Sequence, residues 1–196
     1  SAFGHIRLLN KFDFDDICVS LKSSSVPITM KAYQLMSRES DYPLHIGVTE
    51  AGTVRMGTLK SAVGIGGLLA LGVGDTMRVS LSADPVEEVY AARDILKAAG
   101  IRKDGAELVS CPTCGRTRID LISLANEVEQ RLKTVDKPIT VAVMGCVVNG
   151  PGEASAADCG IAGGVGEGLL FKKGQIIKKV PQDQLVDELF RLIETL

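Results

Sequence analysis

The chain lacks the features that would commit it to a membrane or a nucleic acid. Its 22 basic and 24 acidic side chains leave a formal net charge of −2, and no segment gathers a run of lysines and arginines. That excludes the electrostatic footprint of nucleic-acid or anionic-lipid binding and leaves an anionic ligand to find a local basic pocket. Long hydrophobic runs are also missing. The most apolar stretch, Val63 to Val73, is broken by glycines and too short to span a bilayer. No charged, apolar and small-residue leader opens at Ser1. The cysteines number five, an odd count in a chain large enough to need no disulfide staples. Two of them form a Cys-x-x-Cys unit, which favours a reducing compartment and metal or redox use. The expectation is a cytoplasmic protein with no nucleic-acid and no membrane partner. An initiator methionine is missing too, and the pattern below makes residues upstream of Ser1 the expected reason.

What is present is a core-forming composition, 45% hydrophobic over 196 residues, and a repeated unit. Four short apolar runs end in polar or reactive residues: Ile17 to Lys22, Leu44 to Glu50, Met77 to Ser80 and Glu107 to Cys111. Each reads as a buried strand. Helical patterns lie between them, over Pro27 to Arg38, Val54 to Leu71, and from Asp84-Pro85-Val86-Glu87 to Gly100. The last opens with a cap residue, a first-turn proline and a capping-box glutamate. The alternation, with a period of roughly 30 residues, predicts parallel strands joined by helices. In such an array the ends of the strands share one face, which hosts the chemistry in barrels of this type. Lys22, Glu50, Arg78, Ser80 and Cys111 all fall there. About four βα units make only half of an eight-stranded barrel, so the missing half is expected to precede Ser1.

A helix over about residues 116–133 follows, and Asp136-Lys137-Pro138 then punctuates the chain. This break is the expected domain boundary: a partial barrel over 1–135, then a small α+β domain over 136–196. The second contains a strand from Ile139 to Met144, strand patterns at Gly168 to Lys172 and Gln175 to Val180, a crowd of glycines, and an amphipathic helix built on Leu185, Val186, Leu189 and Ile193.

Cys111-Pro-Thr-Cys114 closes one apolar run, and Cys146-Val-Val-Asn-Gly-Pro-Gly-Glu153 closes another. A Cys-x-x-Cys turn brings two thiolates to one inorganic centre, and a helix starting there would favour thiolate over thiol. Cys146 offers a third thiolate, and its glycine- and proline-shaped loop brings back a carboxylate at Glu153. Soft sulfur suits an iron–sulfur group or zinc, while a carboxylate is harder and more easily displaced. For the fourth position Cys159 competes with Glu153, because full thiolate ligation is common in cubane clusters. Zinc is the competing metal, although the second close Cys pair of a zinc ribbon is missing. Cys18 reads as a buried core thiol.

These residues resemble the hydroxymethylbutenyl diphosphate synthase (GcpE, IspG) family along nearly the whole chain. The resemblance is carried by Val48-Thr-Glu-Ala-Gly-Thr-Val-Arg-Met-Gly57, Arg78-Val-Ser-Leu81, Ala83-Asp-Pro-Val-Glu-Glu88, Cys111-Pro-Thr-Cys114 and Gly145-Cys-Val-Val-Asn-Gly-Pro-Gly-Glu153. It implies the C-terminal half of a (β/α)8 TIM-type barrel followed by an iron–sulfur domain like those of sulfite and nitrite reductases, with Cys111 and Cys114 contributed from the junction. It also implies a 4Fe-4S cluster on Cys111, Cys114, Cys146 and Glu153. Further implications are a cyclic diphosphate substrate held by Lys22, Arg78 and Ser80, with Glu50 and Glu153 as the catalytic residues, Glu50 near the departing hydroxyl and Glu153 displaced from the cluster by substrate. The implied reaction is a two-electron reductive ring opening in isoprenoid synthesis, with electrons from flavodoxin or ferredoxin, in a bacterial homodimer. A non-catalytic electron-transfer module and a structural zinc domain are the competing readings.

Overall fold

The computed structural model describes residues 1–146 and 154–196. They form two compact units, Ser1–Lys103 and Asp104–Leu196.

The first unit opens with helix α1 (Ala2–Asn10), whose Ile6 is buried. Three strand segments then run parallel. Val19 bridges Leu44, and β1 (His45–Ile46) pairs with β2 (Thr76–Met77) in the register His45 to Thr76 and Ile46 to Met77. Helix α2 (Val26–Glu39) joins the first to the second, with a proline in its first turn where the missing N–H costs nothing. The second is joined to the third by α3 (Val54–Ser61), a π-helical turn (Ala62–Gly66) and α4 (Gly67–Ala70). Helix α5 (Pro85–Ala98) follows, with the Asp84 carboxylate accepting the Val86 N–H at 2.9 Å.

Side chains alternate across these strands, and the two faces differ. Val19, Leu44, Ile46 and Val79 are buried and join Tyr33, Ile65, Leu68 and Ile95 of the helices in one core, and Val48 is buried as well. The opposite face carries Ser20, Lys22, His45, Gly47, Thr76, Arg78 and Ser80. Tyr33 ties two strands together from below: its hydroxyl donates to His45 O at 2.7 Å and accepts the Leu21 N–H at 2.9 Å.

The second unit is built on a five-stranded sheet in the order β3 (Glu107–Ser110), β4 (Thr140–Met144), β5 (Cys159–Gly163), β6 (Glu167–Lys172) and β7 (Gln175–Pro181). The first three strands are parallel and the last two antiparallel. Helices α6 (Leu121–Leu132) and α7 (Leu185–Glu194) cover one face, where Val128, Leu185, Leu189 and Ile193 meet Val141, Val143, Cys159 and Ile161. The other face buries Ala142, Met144, Ala162 and Phe171 beneath Ala154 and Ala157. Because β4 and β5 are covered on both sides, they read as continuous rather than alternating apolar runs.

The expected boundary at 135/136 is corrected to 103/104. The strand ending at Cys111 belongs to the second unit because β3 pairs with β4 over four consecutive positions, from Glu107 with Thr140 to Ser110 with Val143. The Asp136-Lys137-Pro138 break is the loop from α6 into β4. The first unit therefore holds three strand segments, not four. Strand β5 was not foreseen, since Cys-Gly-Ile-Ala-Gly offers little strand propensity and is held by burial and by pairing on both edges. Helix α1 was also missed. Cys18 is exposed, not a core thiol.

Candidate functional site

Each unit carries one chemically distinct constellation. In the first, Lys22 lies three residues beyond the Val19 bridge, and Arg78 directly follows β2, where its N–H donates to Ile46 O at 3.0 Å. Gly47 lies on the intervening strand. A Cβ there would stand 2.7 Å from Arg78 O and 2.9 Å from Lys22 Cε, so only a hydrogen lets the lysine stem cross this strand. Burial, and then the charge of Arg78, holds the Lys22 ammonium below the usual lysine range. The two cations are thus in each other's field. Glu88 restrains Arg78 from the far side: its Oε2 is 3.9 Å from Arg78 Nε, and its Oε1 accepts the Leu81 N–H at 2.9 Å. With the arginine side chain 63% exposed, that pair contributes under about 1 kcal/mol and leaves most of the guanidinium open to a ligand.

Glu50 is exposed at the end of the second strand segment, with a φ of 51°. A left-handed conformation in a residue with a Cβ costs about 1–2 kcal/mol. Such strain is typical of residues held for function. Ser80 is half-buried beyond Arg78. Among the described residues no hydrogen bond or ion pair joins Glu50 or Ser80 to either cation.

His45 was not anticipated. It shares the polar face with Lys22 and Arg78, and its Nδ1 is 2.8 Å from Thr76 Oγ1. The signal was present in Leu44-His-Ile-Gly-Val: alternation about two buried residues places the histidine and glycine together on the opposite face.

In the second unit the sulfurs lie beyond the C-terminal ends of β3 and β4. Cys111 follows β3 directly and is half-buried, touching the cores on both sides of the sheet. Cys146 follows Met144 by two residues and is buried. The two loops are joined, because the Gly145 N–H donates to Cys111 Sγ at 3.2 Å and the Arg118 N–H donates to Gly145 O at 3.1 Å. Thr117 fills the space over Gly145, where a Cβ would come 3.0 Å from Thr117 Oγ1. That hydroxyl also accepts the Cys114 N–H at 3.1 Å. Cys114 is exposed, and its thiol is held below the usual range by the Arg116 N–H first and by the Arg116 side chain second.

Among the described residues no three His, Cys, Asp or Glu side chains stand close enough together to hold a metal ion. Glu153 lies outside the described residues. Cys159 is fully buried in the α6/α7 core, and burial pushes its thiol up to about 11. It is a core thiol, paired with Val141 near the start of β4, whereas Cys146 lies beyond the end of that strand. The donor chemistry fits an iron–sulfur group: three cysteines come from two joined loops, and N–H groups are aimed at two of the sulfurs, as they are at thiolate ligands.

Comparison with known proteins agrees with both halves. Residues 1–93 match the GcpE TIM-barrel domain, and residues 107–195 match the GcpE protein C-terminal domain. The chain is 61% identical over 196 residues to the 4-hydroxy-3-methylbut-2-en-1-yl diphosphate synthase (flavodoxin) of Clostridium acetobutylicum. That match covers all of this chain and 56% of the relative. It is 60% identical over 196 residues to the enzyme of the same name from Clostridium perfringens, again over 56% of the relative. With that of Geobacter sulfurreducens it shares 59% over 194 residues, 99% of this chain and 55% of the relative. The chain therefore spans about half the length of the curated relatives it matches. Mixed α/β content, parallel strand–helix units and two consecutive matches to domains of one family lead to one conclusion: the chain belongs to the GcpE family.

Proposed function

We propose that this chain carries the cluster-binding and part of the diphosphate-binding machinery of a 4-hydroxy-3-methylbut-2-enyl diphosphate synthase. The substrate would be 2-C-methyl-D-erythritol 2,4-cyclodiphosphate. Two electrons and two protons would open its ring and expel one water, giving (E)-4-hydroxy-3-methylbut-2-enyl diphosphate. Flavodoxin, which forms part of the relatives' names, is the favoured electron donor, with ferredoxin the alternative.

Cys111, Cys114 and Cys146 would hold a 4Fe-4S cluster, with Glu153 as its fourth, exchangeable ligand. When bound, such a group supplies single electrons and a Lewis-acidic iron. The chain's own residues supply the rest. Lys22 and Arg78 neutralise the diphosphate, and Ser80 adds a neutral donor beside Arg78. Glu50, held in its strained conformation at a strand end, manages the proton of the departing hydroxyl. The Gly145 and Arg116 N–H groups are aimed at the Cys111 and Cys114 sulfurs, and Thr117 fixes the loop that carries Cys114. The first unit is read as part of a (β/α)8 barrel, the second as a domain of the sulfite-reductase type, and the assembly as a homodimer.

The observation that carries the reading is the bond from the Gly145 N–H to Cys111 Sγ, which joins the two cysteine loops over adjacent parallel strands. Burial of Cys159 weighs against the all-thiolate electron-transfer module. Anaerobic reconstitution with iron and sulfide tests the proposal. A broad visible absorption should appear, and the cyclodiphosphate should alter the electron paramagnetic resonance signal of the reduced cluster. Stoichiometric zinc in place of iron and sulfide favours the structural-metal reading. A Glu153→Ala variant with an unchanged cluster and an unchanged response to the cyclodiphosphate removes Glu153 from the ligand set.

A further inference from the structure

His45 is a titratable side chain to which the proposed chemistry gives no task. It lies on the polar face of the first unit, two residues before Gly47 and therefore on the same side of its strand. Its strand is the middle one of the three, with Lys22 contributed by one neighbour and Arg78 by the other. The charged groups that act on the imidazole are these two cations, one from each flanking strand. The carboxylate nearest to Arg78, Glu88, is engaged by that guanidinium and by the Leu81 N–H.

We infer that His45 is a third anion-binding side chain of this face, one that takes up a proton when a diphosphate group settles at Lys22 and Arg78. The inference rests on the reading of those two cations as diphosphate-binding, and it adds a residue and a pH dependence to it. Without an anion, burial, Lys22 and Arg78 all oppose a third positive charge and hold the imidazole below its ordinary range. A bound polyanion reverses the sign of the local field and favours the imidazolium. Thr76 accommodates both states, because its hydroxyl can donate to a neutral Nδ1 or accept from a protonated one. In either state Nε2 can carry a hydrogen and donate to the anion. The sign of the linkage follows. A group whose pKa rises on binding takes up a proton, so affinity for the anion increases as pH falls through that range.

The test is a proton NMR titration of the histidine ring resonances between pH 5 and 8.5, with and without inorganic pyrophosphate. The chain has two histidines, His5 and His45, and a His5→Gln variant assigns them. Pyrophosphate should raise the His45 midpoint by about one pH unit, equivalent to about tenfold in linked affinity, and leave His5 unmoved. Wild-type binding should strengthen several-fold more than His45→Gln binding between pH 8 and pH 6, approaching the tenfold limit only below both midpoints. That difference cancels the titration of pyrophosphate itself. If pyrophosphate binds, is weakened by Lys22→Gln, and leaves the His45 midpoint where it was, the inference is overturned while the diphosphate reading stands. If pyrophosphate does not bind, or binds independently of Lys22 and Arg78, the diphosphate reading fails and this inference fails with it. Should His45→Gln not fold, the wild-type midpoint decides alone.

Discussion

The two units use parallel strands in opposite ways. In the first, helices cover one face of three short strand segments, and the other face is given over to polar groups, so Lys22, Gly47 and Arg78 stand side by side across the strands, with His45 two residues back opposite Thr76. In the second, both faces of β4 and β5 are buried. No face remains for chemistry there, and Cys111 and Cys146 are confined to the loops beyond the strand ends. A charged ligand needs an open polar surface that several strands can share. A sulfur-bound group needs thiols presented from neighbouring loops, and Cys111 and Cys146 both lie just beyond the ends of adjacent parallel strands.

The largest expected effect tests whether the cores are separate. Leu189 is fully buried in the α6/α7 core of the second unit, so Leu189→Ala should cost about 2–5 kcal/mol. Hydrogen exchange should show lost protection across 104–196 and retained protection in β1, β2 and α2. Equal loss in both halves would mean that one cooperative core replaces the two.

Cys159 provides a pH test that separates the core thiol from the thiols proposed as ligands. Its folded pKa of about 11 lies above the ordinary 9.0, so the folded chain keeps a proton that the unfolded chain releases. The stability involved is intact below about pH 9 and is lost as pH rises toward about 11, amounting to about 2–3 kcal/mol. Urea unfolding of Cys159→Ala should lack this alkaline fall, and the variant should load as much iron as the parent. Reduced iron in Cys159→Ala at neutral pH would return Cys159 to the ligand set.

A smaller effect concerns the first unit alone. Gly47→Ala places a methyl group against Arg78 O and the Lys22 stem, and should cost about 1–3 kcal/mol as overpacking. It should also weaken pyrophosphate binding while leaving iron content unchanged. A variant as stable as the parent, with unaltered binding, would mean that Lys22 does not cross this strand.

Much of this was legible in the sequence, and the reasons differ by residue. Helices α2, α5, α6 and α7 show apolar spacing; Asp84 before Pro85 is both the cap signal and the observed cap, whereas α6 begins at Leu121 behind its Asp120 cap and not at 116, so no helix starts at the Cys111–Cys114 turn. Lys22, Arg78 and Cys111 could be placed at strand ends because their apolar runs stop abruptly. The boundary was misjudged because Asp136-Lys137-Pro138 looks like a linker, whereas only pairing shows that β3 crosses to join β4. Strand β5 was hidden by its glycines, and Cys18 by its neighbours Ile17 and Val19, of which only Val19 is buried. His45 was overlooked because a lone histidine in a short strand carries no spacing of its own. Its meaning comes from the strands on either side.

The central claim is that Cys111, Cys114 and Cys146 act together as ligands. Its most direct test is iron and sulfide analysis after anaerobic reconstitution of the parent chain and of Cys111→Ser, Cys114→Ser, Cys146→Ser and Cys159→Ala. About four iron and four sulfide per chain are expected in the parent, with a comparable load in Cys159→Ala and loss of most of it in each of the three serine variants. A full load in Cys146→Ser, or zinc in place of iron in the parent, would contradict it.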